Sequence, residues 1–182
     1  MLDRAGELLS NEGPGALSLR RIAADVGTST TAVYSLFGGK PALVRELYLT
    51  AFQRFSDTLN SVPVTDEPAE DLVQLGLAYR RAALADPHLY SIMFSIASPG
   101  FEPDEQATQR AMATLAPLCD VVERGVLKGL FVSAARHRAA VAAWALVHGL
   151  VSLELNGTLP DDFDRALAFE QALRAHLAGW LA

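Results

Sequence analysis

The chain has 182 residues, room for one ordinary domain or a small domain joined to a larger one, and too little for a large multidomain enzyme. Hydrophobic residues make up 51% and charged residues 20%, which excludes a disordered tail and predicts a compact fold. Fifteen Lys plus Arg against 21 Asp plus Glu give a net charge of -6 and a pI near 5.1, which argues against a protein that coats nucleic acid through bulk positive charge.

The single Cys119 can form no internal disulfide, and it lacks Cys and His neighbours at zinc-ligand spacing. The N-terminus turns amphipathic at once, without the basic start and apolar run of a secretory signal. A cytoplasmic protein with no metal and no cofactor is expected. The most apolar stretch, Ala139 to Leu153, contains His148 and is closed by Arg138 and Glu154. It falls short of the ~20 residues a membrane span needs, so it reads as a helix buried by protein, and no membrane partner is expected.

Thirty Ala and 28 Leu against 16 Val plus Ile favour helix over strand throughout, and predict an all-α fold of about nine helices. The first spans about Met1 to Asn11, with Leu2, Ala5, Leu8 and Leu9 on one face, and stops at Gly13-Pro14-Gly15. Ser18 is placed to cap a second helix carrying Leu19, Ile22, Ala23 and Val26 and ending at Gly27. A third, short helix begins near Ser29 or Thr30, carries Val33, Tyr34 and Phe37, and stops at Gly38-Gly39. After Lys40, Pro41 suits the first turn of a longer helix that fades near Leu59.

Residues 60–68 (NSVPVTDEP) have no helical periodicity and mark a subdomain boundary. Beyond them lie helices over about Ala69–Ala85, Pro87–Ala97, Asp104–Lys128, Ala134–Leu155 and Phe163–Leu181. Pro117 should kink or split the third of these. The domains expected are 1–48, with a connecting helix to about 59, and 69–182.

Two short helices joined by Gly27-Thr28-Ser29 are close to the arrangement that lets a second helix enter the DNA major groove, although helical hairpins with short turns also occur in ordinary bundles. The third helix offers Thr30, Thr31 and Ser35 beside Tyr34, hydroxyl groups able to approach base edges or phosphates. Ile22, Ala23, Val26, Val33 and Phe37 are expected in the core.

These residues resemble the DNA-binding domain of the tetracycline-repressor family of bacterial transcription regulators. MLDRAGELLSNEG is similar to the family's first helix and its glycine stop. LSLRRIAADVGTSTTAVYSLFGGKPALVRELY is similar to its helix-turn-helix and the start of the connecting helix, with IAxxxG, xVYxxF and Lys-Pro-x-Leu in order over about Met1 to Tyr48. The resemblance implies a DNA operator as partner, with Thr30, Thr31, Tyr34 and Ser35 on the recognition helix, Ser18 and Arg20 at the head of the supporting helix, and Lys40 opening the next. Lys40 and Ser18 can meet phosphates at helix N-termini, and Arg20 can reach a phosphate or a guanine edge. Three departures stand out: Thr28 replaces an apolar residue after the turn glycine, Leu36 replaces the aromatic or His often found before the Phe, and no basic arm precedes the first helix. A longer native N-terminus is expected to bind DNA more tightly.

Pro87 to Phe94 (PHLYSIMF) and Trp144-Ala145-Leu146-Val147-His148-Gly149 resemble the ligand-binding domain of part of that family, with its Trp-x-x-x-His-Gly signature. Trp144, His148 and Ser152 recur at spacing four, beside Val141 and Ala145. That face can line a cavity in which His148 orients a ligand group by a hydrogen bond; the alternative is a core histidine bonded within the protein. Leu89, Ile92, Met93 and Ile96 form a stripe that is more often core than ligand site. Phe94, Tyr90, Tyr79 and Phe131 are expected to complete an aromatic pocket for an apolar or aromatic effector, since no glycine-rich phosphate cradle is present.

Because Ala139 to Leu153 is apolar nearly all round, it must be covered on two sides. Ala143, Val147, Leu150 and Val151, with Phe169, Leu173, Leu177 and Trp180 on the last helix, are expected to build the four-helix interface of a two-fold homodimer. The alternative is that both stripes close the core of one monomer. Overall the resemblance implies a repressor that binds a near-palindromic operator as a dimer and is released by its ligand. A helical adaptor that uses the first domain as a protein-binding hairpin is the alternative. An enzyme has less support, because Asp86, His88 and Glu102, or His137, His148 and His176, sit at no recognised metal or nucleophile–base spacing.

The charge divides unevenly. Met1 to Leu49 holds five bases (Arg4, Arg20, Arg21, Lys40, Arg45) and five acids (Asp3, Glu7, Glu12, Asp25, Glu46), so all six excess negative charges lie beyond it. The acidic pI therefore argues only against a nonspecific nucleic-acid partner.

Overall fold

The computed structural model describes residues 1–13, 16–94, 101–132, 136–160 and 162–181, with the backbone alone at 136 and 137. Pro14, Gly15, Ile96, Ala97, Ala134 and the His137 side chain, all named above, lie outside the described residues. Ten helices occur among those described: α1 Leu2–Glu12, α2 Leu19–Asp25, α3 Thr30–Phe37, α4 Lys40–Asn60, α5 Pro68–Ala85, α6 Pro87–Phe94, α7 Glu105–Ala113, α8 Ala116–Leu127, α9 Arg136–Leu155 and α10 Arg165–Ala178. The tenth arises because the helix expected over Asp104–Lys128 breaks at Thr114 and Leu115. Pro117 then falls in the first turn of α8, where its missing N–H has no intrahelical partner to lose.

The chain forms two compact units: residues 1–54 with 86–113, and residues 55–85 with 114–182. In the first, α1 buries Ala5, Leu8 and Leu9. Gly6 faces α6 and α4, where a β-carbon would meet Leu89 at 3.6 Å, Ile92 at 3.8 Å and Leu47 at 3.9 Å in ordinary van der Waals contact. Ser10 donates to the carbonyl of His88 at 3.0 Å. Tyr48, Phe52, Phe94 and Tyr90 form a run of aromatic contacts at 4.8, 6.3 and 4.9 Å. Asp104 caps α7 through the amide of Ala107 at 2.8 Å while pairing with Arg45 at 2.7 Å.

In the second unit α5 packs against α8, α9 and α10. Two glycines let side chains lie directly on helix backbone. A β-carbon on Gly76 would come within 2.7 Å of Leu173, and one on Gly125 within 2.1 Å of the Phe131 ring. Phe131 is buried with Val73 and Leu177 and forms an isolated antiparallel bridge with Leu181.

The 60–68 connector is fastened by Asp71. Its carboxylate accepts the amide and hydroxyl of Thr65 at 2.9 and 2.6 Å and the Arg124 guanidinium at 2.7 Å. Burial pushes the Asp71 carboxyl up, but the Thr65 bonds and Arg124 outweigh it and hold it below the usual range. A depressed folded-state value stabilises the fold above the unfolded value near 3.9, and that stability is lost as pH falls below it. Asp71→Asn is therefore expected to lower the melting temperature at pH 7 and to flatten its decline below about pH 4. An unchanged acid limb in the variant would remove Asp71 from this role.

Candidate functional site

The helix-turn-helix is built by local capping. Ser18 takes extended backbone angles and its hydroxyl accepts the Arg21 amide at 3.4 Å, so α2 starts there. The chain leaves α2 through Gly27 at φ 68°, a left-handed conformation that disfavours a β-carbon. Ser29 accepts the Ala32 amide at 3.1 Å and starts α3. Gly38, at φ 76°, ends it by donating to the Tyr34 carbonyl at 2.7 Å.

Of α3 only Val33 is buried. Thr31, Tyr34 and Ser35 are exposed, Thr30 is half-buried, and Ser18, Arg20 and Lys40 are exposed beside them. Ile22, Ala23 and Val33 are core as expected, and Phe37 is half-buried. Val26 is not core: it is 36% exposed because it is the residue that ends α2 at the turn.

The charges around this element are largely paired off. Arg4 bridges Asp25 at 2.8 Å and Glu7 at 2.7 Å, Arg21 grips Glu12 at 2.7 Å, and Arg45 holds Asp104 at 2.7 Å. Arg20 has no carboxylate partner among the described residues.

The residues expected to bind an effector fall into three groups. Tyr90 and Met93 are buried and Phe94 half-buried in the first unit, with Tyr90 and Phe94 in its aromatic run. In the second unit the Tyr79 hydroxyl lies 3.3 Å from Nδ1 of His148, and Tyr79 meets the Phe55 ring edge-on at 4.8 Å. Trp144 lies 6.4 Å from the His148 ring, and Ser152 follows one turn later, half-buried. Burial pushes the His148 imidazole down, which favours its neutral form. Phe131 does not join this group, because it lies on Gly125 in the core with Val73 and Leu177.

A groove of about 360 Å³ opens on Trp144, lined also by Leu115, Leu118, Cys119, Ala140 and Val141, with Glu123 as its one charged residue. The contribution of α8 was not expected from the sequence. Its signal is the spacing of Leu115, Leu118 and Cys119, which becomes a helix face only once the break before α8 is recognised.

The stripes expected at a dimer interface point inward. Ala143, Val147 and Val151 of α9 and Phe169, Leu173 and Leu177 of α10 are buried in the protomer. Leu150 and Trp180 are half-buried, and the Trp180 indole donates to Nε2 of His176 at 3.0 Å. The outward face of α9 is apolar too: Val141 is 61% and Leu153 45% exposed, Ala145 is exposed, and the space beside Gly149 is open. The 20 residues of α9 extend beyond the apolar stretch Ala139–Leu153 at both ends. Its segment Arg138–Leu155, with mean hydropathy 1.3, is long and apolar enough to cross a membrane by length and composition, and 28% of it is buried.

Comparison with known proteins adds two family matches. Residues 1–47 match the model described as "Bacterial regulatory proteins, tetR family", and residues 72–176 match "Tetracyclin repressor-like, C-terminal domain". The crystal structure of SCO4313, a protein given a provisional regulatory assignment, is 30% identical, with a TM-score of 0.80 over 97% of this chain and 93% of that one. An uncharacterised HTH-type transcriptional regulator of Mycobacterium tuberculosis, Rv0681, is 26% identical over 98% of this chain and 79% of its own length. The HTH-type transcriptional regulator Rv1816 of the same species is 25% identical over 66% of this chain. The chain spans about half of that relative's length, 53%.

Proposed function

Because the chain belongs to the tetracycline-repressor-like family of bacterial regulatory proteins, we propose that it is a transcriptional repressor of the cytoplasm that binds a near-palindromic DNA operator as a homodimer and releases it on binding a small molecule. The observation that carries this reading is α3, a capped helix that buries one residue of its eight. A helix held only by Val33 and by its neighbours at each end leaves its outward arc to a partner, and the ~10–12 Å diameter of an α-helix fits the ~12 Å width of the major groove.

In this reading Thr30, Thr31, Tyr34 and Ser35 face the groove, Ser18 and Lys40 hold phosphates at the heads of α2 and α4, and Arg20 reaches a phosphate or a guanine. The pairing of Arg4, Arg21 and Arg45 with acids favours this, since it leaves little bulk charge for nonspecific binding. The dimer surface we propose is the outward face of α9, built on Val141, Ala145, Gly149 and Leu153. The buried stripe supports the alternative weighed for it, closure of the protomer core, and the outward stripe is the apolar surface still available for a second copy.

The effector, an apolar or aromatic compound, is proposed to enter at Trp144, with the Tyr79–His148 pair as polar anchor. A compound can release DNA only by binding the two states of the protein unequally, and DNA must then weaken its binding by the same factor. With Trp180→Phe leaving Trp144 as the single indole, a panel of apolar and aromatic compounds can be screened by Trp144 emission. A compound that changes that emission is expected to lower operator affinity, and the operator to lower the compound's affinity equally. A compound bound at Trp144 that leaves operator affinity unchanged at saturation would contradict the mechanism.

A further inference from the structure

The outward arc of α3 contains an unusual chemistry for a base-reading helix. Its sequence, TTAVYSLF, has no Arg, Lys, Asn, Gln, Asp or Glu, the side chains that make the standard paired hydrogen bonds to guanine and adenine or accept from cytosine. What it presents instead is two tracks at spacing four. Thr31 and Ser35, both exposed, form a hydroxyl track. Ala32, exposed, and Leu36, 66% exposed, form a methyl track beside it.

Leu36 pays no evident structural role for its exposure. It lies one residue before the half-buried Phe37 and two before the Gly38 cap, yet its side chain is 66% exposed on a helix that buries only Val33. The major-groove edge of a base pair offers one apolar group, the C5-methyl of thymine. We infer that the Ala32–Leu36 track reads thymine methyl groups, so that the operator half-site is specified beneath α3 by the placement of thymines, and that a guanine, where one is read, is read from Arg20 on α2. Leu36 thereby becomes a specificity residue, at a position where a hydrogen-bonding side chain would choose differently.

The inference rests on α3 being the element that enters the major groove, and the experiment separates the two. Duplexes selected by the full chain from a random pool define the half-site. Each thymidine of the half-site is then replaced symmetrically by deoxyuridine, which removes the methyl group and leaves base pairing and hydrogen-bonding edges intact.

At one or two positions per half-site the replacement is expected to weaken binding roughly fifteenfold, about fourfold for each buried methyl multiplied over the two half-sites. In Leu36→Ala, an exposed change that spares the fold, the loss at one of these positions is expected to disappear, while in Lys40→Ala it persists in full. Tight, selective binding with no deoxyuridine effect anywhere in the half-site would overturn the inference and leave the DNA-binding reading standing. A deoxyuridine effect undiminished in Leu36→Ala would remove Leu36 from the role. Failure to select any duplex would overturn the DNA-binding reading and this inference with it.

Discussion

Replacing Arg20 and Lys40 together by alanine is expected to weaken operator binding about 10³-fold while leaving the helical content and melting temperature close to those of the unsubstituted chain. Both side chains are exposed and neither lies in the core, so the fold has little to lose. In a two-fold dimer each substitution is made twice. Four charge-assisted contacts at ~1 kcal/mol each then account for the thousandfold loss. The same four contacts set the salt dependence: if all are to phosphates, the slope of log affinity against log salt is expected to fall by about 3.6. A guanine contact from Arg20 would show differently, as a smaller change in slope with preference lost at that base pair. Unchanged operator affinity in the double variant would favour the adaptor reading of the first domain.

A large effect on stability is expected at Gly125. The Phe131 ring lies where any β-carbon on residue 125 would stand, 2.1 Å from it, and the ring has nowhere to go. It is 5% exposed, packed with Val73 and Leu177, and its own amide donates to the Gly125 carbonyl at 3.2 Å. Gly125→Val must therefore displace a buried aromatic ring, an overpacking that outweighs the gain from removing a helix glycine. A loss of about 3 kcal/mol is expected, a fall in melting temperature of roughly 6–12 °C for a chain of this size. Phe131→Ala alone is expected to cost a comparable amount by leaving a cavity. The two together should cost clearly less than their sum, since each removes the cause of the other's damage. Strict additivity would mean that Gly125 and Phe131 do not share a site.

The elements of the fold were legible where the chain carries its own punctuation. Ser18, Ser29, Gly27 and Gly38 cap or stop helices through local bonds, and those signals read the same in sequence and structure. The break at Thr114 was harder, since a proline inside a helical pattern can kink it, split it or sit in a first turn, and packing decides which. Val26 shows the same limit: its spacing fits the buried face of α2, but its place at the end of the helix leaves it partly in water.

The orientation of α9 was not legible at all. A helix that is apolar nearly all round has a buried side and an outward side built of similar residues, so the pattern carries no direction. Only the packing of α5, α8 and α10 shows that Ala143, Val147 and Val151 turn inward and Val141, Ala145 and Leu153 outward. The effector residues divide for a related reason. Tyr79 and His148 meet because α5 packs against α9, and Trp144 stands one turn before His148 on α9, whereas Phe131 is taken up by the glycine it covers.

The most direct measurement is a titration of the full chain against the duplex it selects and against a scrambled duplex of the same length, at the same salt, with the stoichiometry read at saturation. Two chains per operator and a preference of at least about 10³ for the selected sequence are expected, carried by a module whose own charge is near zero. Equal affinity for the two duplexes, or binding that disappears in step with salt and shows no sequence preference, would contradict that expectation.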